Sequence, residues 1–249
     1  MKRDISFYMD SLAFTKMLER GLSAVLTTQQ LAVLLDMDVG ATAVKVKRLV
    51  DKGVLVRVLR ARYTLPSTNI LAAASCIYHP SYVTLLAAFE HHGTTTQSTR
   101  VIDILNTARS GRISLVLEAG LYVVRFVKVD AKLVYGYEKV FPGGMTALVA
   151  KKEKGIVDSL LLPGYVSLDE TVACIRSGID GKRAIEYGKR TQRQTVIKRL
   201  GLLLSAEGID CSPDDFPGLS RTYVPLDPAL PRRGKYDPKW RVLINRVIE

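Results

Sequence analysis

Six carboxylates in the middle of the sequence are candidates for catalytic chemistry, because nucleases and nucleotidyltransferases hold Mg²⁺ with clustered acidic side chains. They are scattered along the chain, and none forms a D-x-D or E-x-K pair: Asp103, Glu118, Asp130, Glu138, Glu153 and Asp158. The sequence also has no G-x-x-x-x-G-K-[ST] phosphate loop and no serine or cysteine nucleophile in a recognisable elbow. We therefore predict no catalytic residue and do not expect an enzyme.

A metal site is the second chemical possibility. Cys76 and His79 have a spacing found among metal ligands. No second close pair of thiolates accompanies them, and His91 and His92 are adjacent at the end of a predicted helix. A helix end with partly exposed histidines fits this pattern better, so neither a metal nor another cofactor is predicted.

Positive charge is the strongest signal in the sequence. The chain of 249 residues has 36 Lys and Arg against 24 Asp and Glu, a net charge of +12, which suggests a polyanionic partner. The segment from Val39 to Pro66 has one acid, Asp51, against seven basic residues: Lys45, Lys47, Arg48, Lys52, Arg57, Arg60 and Arg62.

The elements that must position these charges follow the order helix, turn, helix and hairpin. Residues 5–20 predict a first helix, and Thr27 and Gln30 have the capping-box spacing of a second. Asp38 can cap a third helix, and two short strands follow it. This order predicts a winged helix-turn-helix over residues 1–66.

The third helix would be the DNA-reading element. We expect Ala43, Val46 and Val50 to face the core, which turns Thr42, Lys45 and Arg48 outward. A recognition helix enters the major groove, and the arginines of the hairpin would lie near a phosphate backbone or the minor groove. The predicted DNA-binding set is Thr42, Lys45, Lys47, Arg48, Lys52, Arg57, Arg60 and Arg62. The alternative is a solvated basic face on a structural or protein-binding winged helix.

Residues 67–249 predict a second, mixed α/β domain with a C-terminal tail, so the fold class is α+β. The turn-rich sequence "LPSTN" (65–69) marks the boundary. "ILAAASCIYHP" (70–80) and "SYVTLLAAFEHHG" (81–93) predict two helical stretches after it. β-branched and aromatic runs between residues 100 and 150 predict a sheet, and a helical group follows up to residue 208. Seven basic residues between Lys182 and Arg199 fit either a solvated helix pair or a second surface for an anionic partner. At helical spacing Arg183, Glu186, Arg190 and Arg193 fall on one face, and Lys198 can share it.

The cysteines and the apolar runs favour a cytoplasmic protein. Three cysteines do not suggest a disulfide framework, which indicates a reducing compartment. No run approaches the roughly 18 apolar residues of a membrane helix, and acids interrupt the N-terminus where a signal peptide is apolar. We therefore expect no membrane partner.

Several motifs of the second domain resemble a known family in sequence and in order. "YVTLLAAFEHHGTTTQ" (82–97) looks like the Tyr-aliphatic-Ser, then His-Gly-x-Thr-x-Gln segment of AbiEi-type antitoxins. "VAKKEKGIVDSLLLP" (149–163) is similar to that family's Val-Ala-x-x-Glu-Lys-Ala-aliphatic-aliphatic-Asp motif. "VIKRLGLLLSAEG" (196–208) resembles the helix before its tail. The likeness covers nearly the whole chain.

The resemblance implies a set of motif residues by position: Tyr82, His92, Gly93, Gln97, Glu153, Lys154 and Asp158. The sequence departs from the family pattern at Thr84, Thr94 and Gly155, where Ser, Leu and Ala are usual. Glu153, Lys154 and Asp158 have two possible roles, a structural salt bridge with a helix cap or direct contact with a toxin.

The resemblance implies that the chain is a DNA-binding antitoxin and transcriptional autorepressor. Its partners would be double-stranded DNA of its own promoter and a nucleotidyltransferase-like toxin encoded beside it. Two alternatives stay open. One is a regulator without a toxin partner, and the other is a nucleic-acid-processing enzyme with a winged-helix targeting domain.

Overall fold

The structure, a computed structural model, describes residues 23–216 and 218–247. The predicted α+β class is confirmed, while the helix predicted over residues 5–20 lies outside the described residues. Within this part the α-helices are α1 (Thr28–Leu35), α2 (Val39–Asp51), α3 (Ile70–Ser75), α4 (Leu85–His91), α5 (Lys152–Leu161), α6 (Leu168–Arg176), α7 (Gly181–Thr191) and α8 (Gln194–Ala206). The strands are β1 (Leu26–Thr27), β2 (Val56–Leu59), β3 (Arg62–Thr64), β4 (Ser81–Thr84), β5 (Val101–Asn106), β6 (Gly111–Leu117), β7 (Gly120–Lys128), β8 (Tyr137–Val140), β9 (Ala147–Ala150), β10 (Val224–Pro225), β11 (Lys235–Asp237) and β12 (Val242–Ile244).

The chain divides into two compact units that do not follow one another in sequence. The first unit takes the described residues up to Ser81 together with Arg100–Lys128 and Lys139–Leu148. The second takes Tyr82–Thr99, Val129–Glu138 and the described residues from Val149 onward. The sequence predicts that residues 1–66 and 67–249 fold as separate domains. The division into compact units does not test this, so the boundary between residues 66 and 67 stays a prediction. No helix in the described ranges is long and apolar enough to cross a membrane.

In the described part of the first unit, the short strand β1 leads into two helices separated by three residues. The Thr27 hydroxyl accepts a hydrogen bond from the Gln30 amide, and the Gln30 side chain accepts one from the Thr27 amide, which confirms the predicted capping box. Asp36 ends α1 in the left-handed region, with a φ of 51°. The Asp38 carboxylate accepts a hydrogen bond from the Ala41 amide at 2.9 Å and caps α2, also as predicted.

Strands β2 and β3 follow the two helices, and together with β1, which precedes them, they form a three-stranded antiparallel sheet in the order β1-β3-β2. β2 and β3 form a hairpin whose tip contains Arg60 and Ala61, and Ala61 has a φ of 58°. The helices and this sheet enclose a small apolar core of five buried residues: Leu31, Val46, Leu49, Leu55 and Leu65. Burial of that core holds α2 in place against α1 and the hairpin.

A second sheet region in the first unit has the order β6-β7-β5. β6 and β7 are antiparallel, with Leu117 opposite Gly120, whereas β5 and β7 are parallel, with Val101 opposite Val123. The Asp103 carboxylate on β5 accepts hydrogen bonds from the Arg125 guanidinium on β7. This ion pair compensates the charge of a carboxylate that is only 2% exposed.

The helices α4 to α8 and the C-terminal strands surround the main core of the second unit, which includes Phe89, Leu203 and Trp240. β4 and β9 are parallel, with Val83 opposite Val149. The C-terminal strands form a small sheet of order β10-β12-β11.

The sequence "SYVT", which we predict as the start of a helix, is strand β4 instead, so that prediction is wrong. α4 begins only at Leu85, whose φ of 58° turns the chain sharply between strand and helix. Periodicity does not reveal this turn, because β-branched residues next to an apolar helical run fit both patterns.

Candidate functional site

The exposed cations of α2 are the first part of a candidate nucleic-acid interface. Lys47 and Arg48 are exposed, and Lys45 is half-buried. The prediction that Thr42 faces outward is wrong, because Thr42 is fully buried and its hydroxyl donates a hydrogen bond to the Asp38 carbonyl at 2.8 Å. Thr42 is therefore not available for DNA contact in this arrangement.

The buried face of α2 lies about one residue away from the predicted one. Thr42, Val46 and Leu49 are the buried residues, whereas Ala43 is exposed and Val50 is half-buried. Both sets have i+3 and i+4 spacing, so the pattern does not distinguish them. The hydrogen bond to the preceding turn lets a threonine take the buried position.

The hairpin supplies a second group of cations. Arg57 and Arg60 are exposed, and Lys52 is exposed at the C-terminal end of α2. Arg62 is half-buried, and its guanidinium carbon lies 5.2 Å from the centroid of the Tyr78 ring, which makes a cation–π contact. Arg62 therefore also holds the hairpin against the chain segment that follows α3.

Five of these cations have no acidic partner within the described ranges, namely Lys45, Lys47, Arg48, Arg57 and Arg60. An unpaired, exposed Lys or Arg can neutralise a phosphate and release its counterion. This part of the first unit thus offers positive charge on a helix and on a hairpin.

Three of the motif residues, Tyr82, Lys154 and Asp158, belong to a buried ion-pair cluster in the second unit. Lys154 and Asp158 lie one turn apart on α5, are both fully buried, and form a salt bridge. The Asp158 carboxylate also accepts hydrogen bonds from the Tyr82 hydroxyl at 3.0 Å and the Thr84 hydroxyl at 2.8 Å, both on β4. The cluster therefore joins α5 to β4 through one carboxylate.

Aromatic rings surround the lysine of this cluster. The Lys154 ammonium lies 4.5 Å from the centroid of the Tyr135 ring and 5.5 Å from that of Tyr82. The Arg190 guanidinium lies over the Tyr135 ring at 4.1 Å, and the Tyr135 hydroxyl donates to the Tyr187 carbonyl at 2.7 Å. Burial, followed by the charge of Asp158, raises the pKa of both Tyr82 and Tyr135, so both hydroxyls stay protonated as donors.

The other motif residues lie outside this cluster. Glu153 accepts a hydrogen bond from the Asp180 amide at 2.9 Å and lies 3.7 Å from Arg183, which ties α5 to the start of α7. The His92 Nε2 is 2.8 Å from the Ala150 carbonyl. Gly93 follows α4 with a φ of 65°, where glycine ends a helix without strain, and Gln97 is exposed.

The structure shows the salt bridge considered for Glu153, Lys154 and Asp158, but not the helix cap, because no side chain caps the start of α5. All three are at most 5% exposed and already have partners within the second unit. Their side chains shape the unit rather than present a contact surface. Among the motif residues, Gln97 is the one whose side chain is exposed in the described part of the chain.

The departures from the family pattern have physical explanations. Thr84 keeps the hydroxyl that a serine would supply to Asp158. The Thr94 hydroxyl donates to the Phe89 carbonyl at 3.1 Å, close to the end of α4. At Gly155, an added Cβ would lie 2.8 Å from an edge carbon of the Phe89 ring. Glycine therefore stands in α5 because the aromatic ring occupies the space of a side chain.

Replacing Gly155 with Ala is expected to destabilise the protein although alanine is the better helix former. The propensity gain is about 1 kcal/mol, and the clash with Phe89 costs roughly 1–3 kcal/mol. We expect a net loss in the free energy of unfolding, measured by urea denaturation. The matched variant G155A/F89L should lose less free energy of unfolding than the sum of the losses in the two single variants, because the smaller leucine side chain at position 89 leaves room for the alanine. A stabilised G155A protein would contradict the packing explanation.

The basic segment 182–199 is only partly a solvated surface. Lys182, Lys189 and Arg193 are exposed, but the expectation that Lys198 shares a solvent face is wrong. Lys198 is fully buried, and its ammonium donates to the Ser220 hydroxyl at 2.9 Å and to the Thr222 carbonyl at 2.6 Å. Arg199 is also buried. α8 therefore uses its basic side chains to hold the C-terminal segment.

Tyr135, which is buried, Tyr187, which is half-buried, and Arg190, which is exposed, extend the cluster in a way that the sequence does not reveal. They come from different segments, and no motif links them. The one residue type that could have pointed to this contact is the glycine at position 136. Its φ is 70°, and an added Cβ would meet both Tyr187 and Lys154. Such a close approach is a property of tertiary structure.

Two comparisons with known proteins give no family assignment for this chain. Neither a scan against protein-family models nor a search of the curated proteins finds a match. The described residues contain no group of three or more His, Cys, Asp and Glu side chains that could hold a metal ion. The resemblance to AbiEi-type antitoxins therefore remains an expectation based on the quoted motifs.

Proposed function

We propose that this chain is a DNA-binding antitoxin and autorepressor, in which residues 1–66 act as a winged helix-turn-helix on the promoter of its own operon. One observation carries the DNA-binding part. Two helices separated by a three-residue turn precede a hairpin, and exposed cations without acidic partners in the described ranges lie on α2 and at the hairpin. Helix-turn-helix proteins place the second helix of this arrangement in the major groove.

In this proposal Lys47 and Arg48 contact the duplex from α2, while Arg57 and Arg60 contact phosphates from the hairpin. Lys45 contributes from its half-buried position. Lys52 lies at the end of α2, and Arg62 acts partly through its contact with Tyr78. The sequence-specific contacts belong to α2, and the hairpin provides affinity.

DNase I footprinting with the full-length protein tests this role. The probe is the duplex upstream of the gene, and an unrelated duplex of the same length and base composition is the control. We expect a protected segment within the upstream duplex at protein concentrations that leave the control unprotected. Equal protection of both duplexes would contradict autorepression, even if the protein binds DNA.

The antitoxin part of the proposal places neutralisation in the second unit and assigns the buried cluster a scaffolding role. Because Tyr82, Lys154 and Asp158 are buried, the toxin meets other residues. The exposed cations of α7 and its junction with α8, including Lys182, Lys189 and Arg193, form the surface that we propose for the toxin or its RNA substrate.

Co-expression separates neutralisation from repression. The adjacent nucleotidyltransferase-like gene is expressed from a foreign promoter, so that repression of the native operon plays no part. We expect full-length protein to restore growth, and the variant K47A/R48A/R57A/R60A to restore it equally well. Rescue by the wild type alone would show that protection depends on DNA binding.

A further inference from the structure

The second unit has a cavity of about 370 Å³, which lies in the range of small-molecule sites. α5, the start of α6, α8 and the C-terminal segment line it. Its apolar walls include Leu160, Val166, Leu168, Leu226 and Pro228. None of the motif residues lines this cavity, so the proposed function does not account for it.

Arg199 lines the cavity and is only 5% exposed. Its Nε donates to the Pro225 carbonyl at 2.8 Å, which fixes the plane of the guanidinium. Within the described ranges the two terminal nitrogens have neither a hydrogen-bond acceptor nor a carboxylate within 4 Å. A guanidinium is always charged. No fully buried side-chain nitrogen within the described ranges lacks a hydrogen-bond partner, so the terminal nitrogens of Arg199 are accessible to solvent at the cavity wall.

A second arginine of the cavity differs from Arg199 because its charge is already compensated. The Arg246 guanidinium donates to the Asp227 carboxylate at 3.0 Å and to that of Asp169. The other Asp227 oxygen accepts a hydrogen bond from the Ala229 amide at 2.9 Å. Asp227 is therefore engaged with Arg246. Burial lowers the pKa of the Arg199 guanidinium and the Asp227 charge raises it, but no carboxylate contacts the terminal nitrogens of Arg199 within the described ranges.

We propose that this cavity binds a small organic anion, with a carboxylate or phosphate held by the Arg199 guanidinium and an apolar body against the aliphatic walls. The two terminal nitrogens form the planar fork that matches two oxygens of such a group. The Thr171 hydroxyl also lines the cavity and donates to the Ser159 hydroxyl at 2.9 Å. The proposal is independent of DNA binding and of toxin neutralisation.

Isothermal titration calorimetry on the full-length protein tests the proposal with three probes. Benzoate and phenyl phosphate carry the two candidate anions, and benzamide is the neutral match for benzoate. We expect at least one anion to bind about tenfold or more tightly than benzamide, as for a hydrogen bond to a charged group. The anion that binds more tightly shows whether the cavity prefers a carboxylate or a phosphate. Binding of benzamide as tight as that of both anions, or no binding of any probe, would overturn the proposal.

Two variants localise the effect. R199M removes the guanidinium and should lose about tenfold or more of the affinity for the preferred anion while leaving benzamide unaffected. R233M removes an exposed arginine of the same unit that does not line the cavity and should change neither affinity. Unchanged anion binding by R199M would overturn the proposal. If R199M does not fold, the comparison of anion with benzamide on wild-type protein still decides.

Discussion

Replacement of Asp158 by Ala is expected to lower the free energy of unfolding by about 3–5 kcal/mol, because it leaves Lys154 charged and buried without its partner. The carboxylate is fully buried, and it also accepts the hydroxyl hydrogen bonds of Tyr82 and Thr84. No nearby acid replaces it within the described part of the second unit, since Glu153 is engaged with Asp180 and Arg183. Urea denaturation followed by circular dichroism measures the loss.

Three control variants distinguish the buried charge from a general effect of mutation. T84V removes one of the hydrogen bonds and should cost less than D158A. K154M/D158L removes both charges and should recover part of the loss, because the unpaired cation is gone. D210A removes an exposed acid of the same unit and should change the stability little. The cluster would not have the role we assign if D158A stayed within about 1 kcal/mol of the wild type.

The variant K47A/R48A/R57A/R60A is expected to lose affinity for duplex DNA by on the order of 10³-fold at about 0.1 M salt, if each side chain neutralises one phosphate. The slope of log affinity against log salt should become shallower by about 0.9 for each contact removed. All four side chains are exposed, so the fold should persist. Fluorescence anisotropy over a salt series, with circular dichroism as the check on folding, measures both quantities.

The matched control removes the same number of charges elsewhere. K182A/K189A/R193A/R232A replaces four exposed cations of the second unit and lowers the net charge equally. Its affinity for DNA should stay close to that of the wild type. Equal losses of affinity in the two variants would mean that DNA binding depends only on the total charge of the protein. In that case α2 and the hairpin would have no special role.

Local signals account for the parts of the fold that the sequence predicts well. The capping residues Thr27 and Asp38 fix where α1 and α2 begin, because each side chain bonds an amide within its own first turn. The orientation of α2 is harder to predict, since small residues such as Thr42 and Ala43 fit on either side of the buried face. A hydrogen bond from Thr42 to the preceding turn decides it.

Long-range contacts account for what the sequence does not reveal. Tyr82 and Asp158 meet although 76 positions separate them, and no periodicity links β4 to α5. The motif resemblance predicts that Lys154 and Asp158 belong together, but not that they are buried. Likewise, the basic composition of α8 suggests a solvated face, whereas Lys198 finds acceptors in the C-terminal segment.

Titration of the full-length protein against the duplex upstream of its own gene is the most direct test of the central claim. A duplex with the same bases in scrambled order is the reference, and both are titrated over a salt series. We predict tighter binding to the upstream duplex, with an affinity that falls steeply as salt rises. Equal affinity for both duplexes, or an affinity that does not change with salt, would contradict an autorepressor that reads DNA through α2 and the hairpin.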